Sequence, residues 1–183
     1  MSDIIDLRYP IGKFADQSYA AQLEPDERIK QELLLDMQML PQALEYAIVN
    51  LDAEQLDTPY RPGGWTVQQV VHHVADSHIN AYVRCKLALT ETNPAIKPYD
   101  EAAWAELSDT RTVPVNVSLT LLHALHARWF ALLKDLGEGD WKKTVYHPEH
   151  QKELTLWYLL KMYAWHGKHH VAHINSLRDR MGW

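Results

Sequence analysis

A chain of 183 residues has the length of one ordinary domain and can bury most of the surface its unfolded form exposes. With 46% hydrophobic and 23% charged residues it lies near globular averages, which excludes a disordered or fibrous chain. Its formal net charge of -6, with Lys and Arg scattered among Asp and Glu, excludes a surface built to neutralise phosphates, so nucleic acid is not an expected partner.

The apolar stretches fall short of the roughly 20 residues that cross a bilayer. The opening MSDIIDLRYPIGKF has acids and a Pro where a signal peptide needs a basic then apolar run. A cytoplasmic protein with no membrane partner is therefore expected, forming one domain over residues 1–183.

The first helical pattern starts near Pro25-Asp26 and runs through Leu33, Leu34, Met37 and Leu40, with Pro41 as a kink or restart before Ala43 to Leu51. After the turn TPYRPGGW, Thr66 and Gln69 form a capping-box start for a second run to about Leu89. Within it Cys85, the only cysteine, sits among Val83, Leu87 and Leu89 and reads as a buried spectator rather than a nucleophile. From Thr92 to Pro114, three prolines flank a short helical pattern at Glu101 to Leu107, which reads as a long crossover. The third run spans Ser118 to Leu136 with Gly137 as its C-cap. YHPEHQKEL is a surface hairpin or loop, and the fourth run reaches from Thr155 to about Arg180. Strand alternation is sparse, so the fold class is all-α.

Histidine, at 11 residues, is over-represented, and the chemistry is sought there. On the fourth helix the stripe Leu159, Tyr163, Ile174 and Leu177 passes through His166 and His170, whose spacing of four aims both rings at a common point. His169 and His173 share that spacing but project farther from the stripe. Two interior imidazoles lose hydration twice and repel when charged, and a metal ion resolves both problems. A solvated or hydrogen-bonded polar cluster is the alternative. VVHHVADSH on the second helix offers His72, His73, His78 and Asp76 as further ligands. Val67, Val70, Val71, Val74 and Ala81 centre the apolar face near His78, with His73 at its border, so periodicity alone does not select His73.

These residues resemble the YfiT proteins of the DinB-like superfamily, and the resemblance implies a metal-dependent hydrolase. The matching stretches include LRYPIGKF, QLDTPYRPGGWTVQQVVHHVADSHINAYVRCKLALTETNPAIKPYDEAAW, LHARWFALL, YHPE and YAWHGKHHVAHINSLRDRMGW. The family's first metal histidine stands eight residues after a Trp, which from Trp65 lands on His73; its other two ligands begin and end an HxxHH pattern, matching His166 and His170. The resemblance implies an up-down four-helix bundle, a homodimer, and one zinc or nickel ion per chain with water in its remaining positions.

Three neutral imidazoles leave a divalent ion its charge and an open position, which suits hydrolysis of a small-molecule substrate. Asp76 or His169 are candidates for proton transfer or for orienting a ligand; a salt bridge for the first and a packing role for the second are equally admissible. Superfamily relatives also resemble transferases that use a low-molecular-weight thiol such as bacillithiol, so a metal-dependent S-transferase is the second reading. A third is a non-catalytic metal-binding dimer, favoured if His78 or Asp76 completes the coordination. Trp65 and Trp165 flank the ligands closely enough to wall a pocket.

Overall fold

The computed structural model describes residues 6–14 and 25–183. The acidic start therefore falls in part, at residues 1–5, outside the described residues. The elements in order are α1 (Glu27–Ile48), α2 (Ala53–Leu56), α3 (Val67–Thr90), α4 (Glu101–Ala105), α5 (Asp109–Thr112), α6 (Val115–Leu133), α7 (Glu138–Trp141), β1 (Thr144–His147), β2 (Lys152–Thr155) and α8 (Leu156–Met181). The four long helices form a bundle, as the apolar periodicity predicts.

Local chemistry places their ends. Asp26 caps α1 by accepting the Ile29 N–H at 2.8 Å. Thr66 and Gln69 form the expected reciprocal capping box at the start of α3. Thr155 caps α8, and Gly182, at φ 73°, ends it in the left-handed conformation that glycine adopts without strain. Two boundaries differ from the sequence reading. The third helix begins at Val115, because Pro114 suits a helix start, and Gly137 opens α7 instead of closing α6. The segment after α7 is an antiparallel hairpin pairing Thr144 with Thr155 and His147 with Lys152.

Each long helix packs on two others: α1 on α6 and α8, α3 on α6 and α8. Side-chain pairings give the directions. His72 meets Ser118 and His78 meets His126, so α3 and α6 run parallel. Asp36 meets Lys168 and Ala47 meets Arg178, so α1 and α8 are parallel too, while Arg84 meeting Tyr163 and His73 meeting His166 make α3 and α8 antiparallel. The order is thus up, down, down, up. Parallel neighbours cannot be joined by a tight turn, and the long crossover at residues 91–114 is what makes α3 beside α6 possible. Gln69 ties it to α3 through the Ala105 carbonyl, and Ile96 and Tyr146 tie it to the hairpin.

The core has two apolar clusters. One holds Met37, Trp129, Trp141, Trp157, Leu159 and Leu160; the other holds Leu40, Leu44, Val70, Val74, Leu122 and Ile174. Burial of each large apolar side chain contributes about 1.5–3 kcal/mol. On every long helix the boundary between the clusters falls at the same level, and there α3, α6 and α8 supply His78, His126, His166 and His170. A layer of imidazoles therefore crosses the middle of the bundle.

The helix α1 runs unbroken through Pro41, so of the kink or restart expected there the restart does not occur. Cys85 is buried as expected, and burial pushes its thiol up to about 12. No described helix is long and apolar enough to cross a membrane.

Candidate metal centre

His166 and His170 lie one turn apart on α8 and face α3, with ring centroids 4.5 Å apart. From α3, His73 reaches into the same space. Its ring is 4.9 Å from that of His170, and its Nε2 is 3.3 Å from His166 Nε2. Each of the three offers one nitrogen, and these lie within 4.8 Å of one another.

Burial pushes His73 down to about 4, and it drives His166 and His170 well below the ordinary histidine value, aided by repulsion from neighbouring imidazoles, His73 among them. All three are neutral at pH 7 and present lone pairs rather than charge. The set suits a divalent ion: two imidazole nitrogens at 2.0–2.1 Å from one tetrahedral ion are about 3.3–3.4 Å apart. His170 also has a buried Nδ1 without a hydrogen-bond partner.

The space opens into a pocket of about 330 Å³. Trp65, 4.6 Å from the His73 ring, and Trp165, stacked on His169 at 4.4 Å, form walls as expected. His169 and His173 are more central than the α8 stripe suggested. Both are buried and line the pocket beneath the segment carrying Arg8 and Tyr9, where His173 Nε2 donates to the Arg8 carbonyl at 3.1 Å. Sequence reasoning missed that covering segment, the Tyr60 and Arg61 wall, and Glu101, an exposed carboxyl that partial burial raises. Nothing local in these residues marks them as pocket neighbours.

The other candidates are placed elsewhere. His72 is buried against α6, donating from Nε2 to Val113 O and accepting at Nδ1 from the Ser118 hydroxyl. Asp76 is half-buried and does not line the pocket; burial and then Asp109 push its carboxyl up to about 6. His78 is fully buried and stands behind His166, with its Nε2 3.2 Å from His166 Nδ1. A larger cavity of about 470 Å³, lined by Asp57, Gln68, Glu106 and Arg111, contains no histidine and no cluster of ligand nitrogens.

The model of the DinB superfamily matches residues 37–174, which span the whole imidazole layer. The chain belongs to the DinB superfamily. Among its DinB relatives, a protein from Bacillus mycoides (strain KBAB4) is 53% identical over 178 residues, covering 97% of this chain and 99% of the relative. One from Bacillus licheniformis is 49% identical over 177 residues, covering 97% and 98%. Both names assign their proteins provisionally to metal-dependent hydrolases. The solved structure of YfiT from Bacillus subtilis superposes with a TM-score of 0.92 at 46% identity, covering 98% of this chain and 99% of that one. It is described as a probable metal-dependent hydrolase with an unusual four-helix bundle topology.

Proposed function

We propose that this DinB-superfamily chain is a metal-dependent hydrolase of a small-molecule substrate, with His73, His166 and His170 holding one divalent ion, zinc or nickel. The observation that carries the reading is the convergence of three neutral imidazoles, from two helices, on one point at the floor of an open pocket. An ion held by three imidazoles supplies Lewis acidity at open positions, polarising an electrophile and lowering the pKa of water from 15.7 to about 7 in the best sites.

The chain's own residues do the rest. Trp65 packs on His73 and restricts its ring. His169, whose Nδ1 has no hydrogen-bond partner, and Glu101 line the pocket and exchange protons with substrate or water. Asp76 does not line the pocket, and its carboxyl feels Asp109 of α5. The homodimer implied by the resemblance would use the exposed Leu35, Met39 and Tyr46 of α1.

The deciding experiment is metal content per chain for the parent, for His73→Ala, and for the His166→Ala, His170→Ala double variant. About one equivalent in the parent, lost in both variants, supports the site; an unchanged content in the variants overturns it. Ester and amide substrates are then screened with and without a low-molecular-weight thiol. Turnover in water alone is the hydrolase outcome, whereas an absolute thiol requirement replaces it with S-transfer. Molar mass by light scattering reads the dimer, and a monomer at micromolar concentration removes it.

A further inference from the structure

Behind the three converging histidines lies a run of ring nitrogens whose hydrogen-bond directions follow from one backbone group. Pro41 has no N–H, so the Met37 carbonyl one turn earlier in α1 lacks its helical donor. Met37 is buried, and a buried carbonyl needs a partner. His126 of α6 supplies it, with Nδ1 2.5 Å from Met37 O. A carbonyl can only accept, so His126 Nδ1 carries the proton and Nε2 of the neutral ring is a bare acceptor.

The next step is set in turn. His126 Nε2 is 3.0 Å from His78 Nδ1, so His78 donates from Nδ1 and keeps Nε2 bare. His78 Nε2 is 3.2 Å from His166 Nδ1, so His166 also donates from Nδ1. Its other nitrogen, Nε2, is left unprotonated, and it is the atom that faces His73 Nε2. Both rings are buried, which favours the uncharged imidazole, and no carboxylate bonds either ring among the described residues.

We propose that His126 and His78 are positioning residues of the metal centre, relaying the donor demand of the Met37 carbonyl through two imidazoles so that His166 is held in the tautomer that presents a bare Nε2. The proposal rests on the reading of His166 as a ligand. It also assigns His78 a place that neither a spectator core residue nor a fourth ligand has: the acceptor that orients His166 and strengthens its donation to an ion. Outer partners of this kind are worth 10–100-fold in metal affinity.

Two measurements test it. The first uses the metal-free parent: nitrogen-15 NMR of the imidazoles is expected to show His126, His78 and His166 all as Nδ1–H tautomers, the minor form of free neutral histidine. An Nε2–H form at any of the three overturns the relay, and this readout needs neither metal nor variants. The second is zinc affinity, by competition with a chromogenic chelator, for the parent, His166→Ala, His126→Phe, His78→Leu and His78→Gln, each checked for helical content by circular dichroism. At least a tenfold loss is expected for folded His126→Phe and His78→Leu. His78→Gln, which can still accept from His166, is expected within about threefold of the parent. Parent-like affinity in His126→Phe and His78→Leu, alongside loss in His166→Ala, overturns the relay and leaves the metal site standing. Parent-like affinity in His166→Ala overturns the metal reading itself.

Discussion

A methyl group on Gly167 would lie 2.5 Å from Leu40 Cδ2 and 3.1 Å from its Cγ, so α8 passes α1 where Leu40 leaves no space for a side chain. Gly167 follows His166 directly, and the close approach seats the His166 turn of α8 against the Pro41 turn of α1. In an exposed helix Gly→Ala gains about 1 kcal/mol, but overpacking a full core costs about 1–3 kcal/mol. With Leu40 itself buried, the steric term wins. Gly167→Ala is expected to destabilise the protein by about 1 kcal/mol, read as a lower urea midpoint at unchanged slope. A raised midpoint would mean that Leu40 re-packs freely.

At the opposite end of the site, Thr66 Oγ1 accepts from the Gln69 N–H at 3.1 Å while Gln69 Oε1 accepts from the Thr66 N–H at 3.0 Å. Removing such a cap costs about 0.5–2 kcal/mol. Thr66→Ala should lower the urea midpoint accordingly yet leave metal content at one equivalent, since His73 lies two turns inside α3. Loss of metal without loss of stability would contradict this division of labour.

Acid should weaken the metal-free protein. His73 and His126 are each pushed down to about 4 by burial, against 6.5 for an unperturbed histidine. Between pH 6.5 and 4 the unfolded chain therefore binds more protons than the folded one. Stability is full above pH 6.5 and falls as pH drops through that window, by up to about 1.4 kcal/mol per unit for each ring. Asp76, raised from 3.8 to about 6, works in the opposite sense and offsets part of the loss. Urea midpoints with chelator present, at pH 7.5, 6 and 5, check the sign, and a midpoint that holds or rises on acidification contradicts it.

Cys85, buried with its thiol pushed up to about 12, is expected to resist a thiol-labelling reagent in the native protein and to react fully in denaturant. Native labelling at the rate of a free thiol would place it outside the core.

What the sequence shows of this site follows the range of each interaction. His166 and His170 are legible because their convergence is a property of one helix. On α3, periodicity points to His78, and it is right about burial: His78 is the core residue, whereas His73 at the border of the apolar face reaches the pocket. Which border histidine faces α8 depends on how the two helices are rotated, and no single-helix pattern contains that. Pro41 reads locally as a kink or restart, but its effect appears at His126, 89 residues beyond the Met37 carbonyl that it frees. The Arg8–Tyr9 cover comes from a segment without helical period and Glu101 from the short helix of the crossover, and only tertiary packing brings them to the site.

The two helices that face each other across the pocket are far apart in the chain: His73 and His166 are separated by 93 residues. An unfolded chain has no comparable site, so an ion bound there acts as a staple across the bundle. By mass action it adds about 2.7 kcal/mol to folding at a free concentration one hundred times its Kd. Were the site filled in this way, the melting temperature would climb with metal supply, and a cell short of the ion would lose the protein to proteolysis.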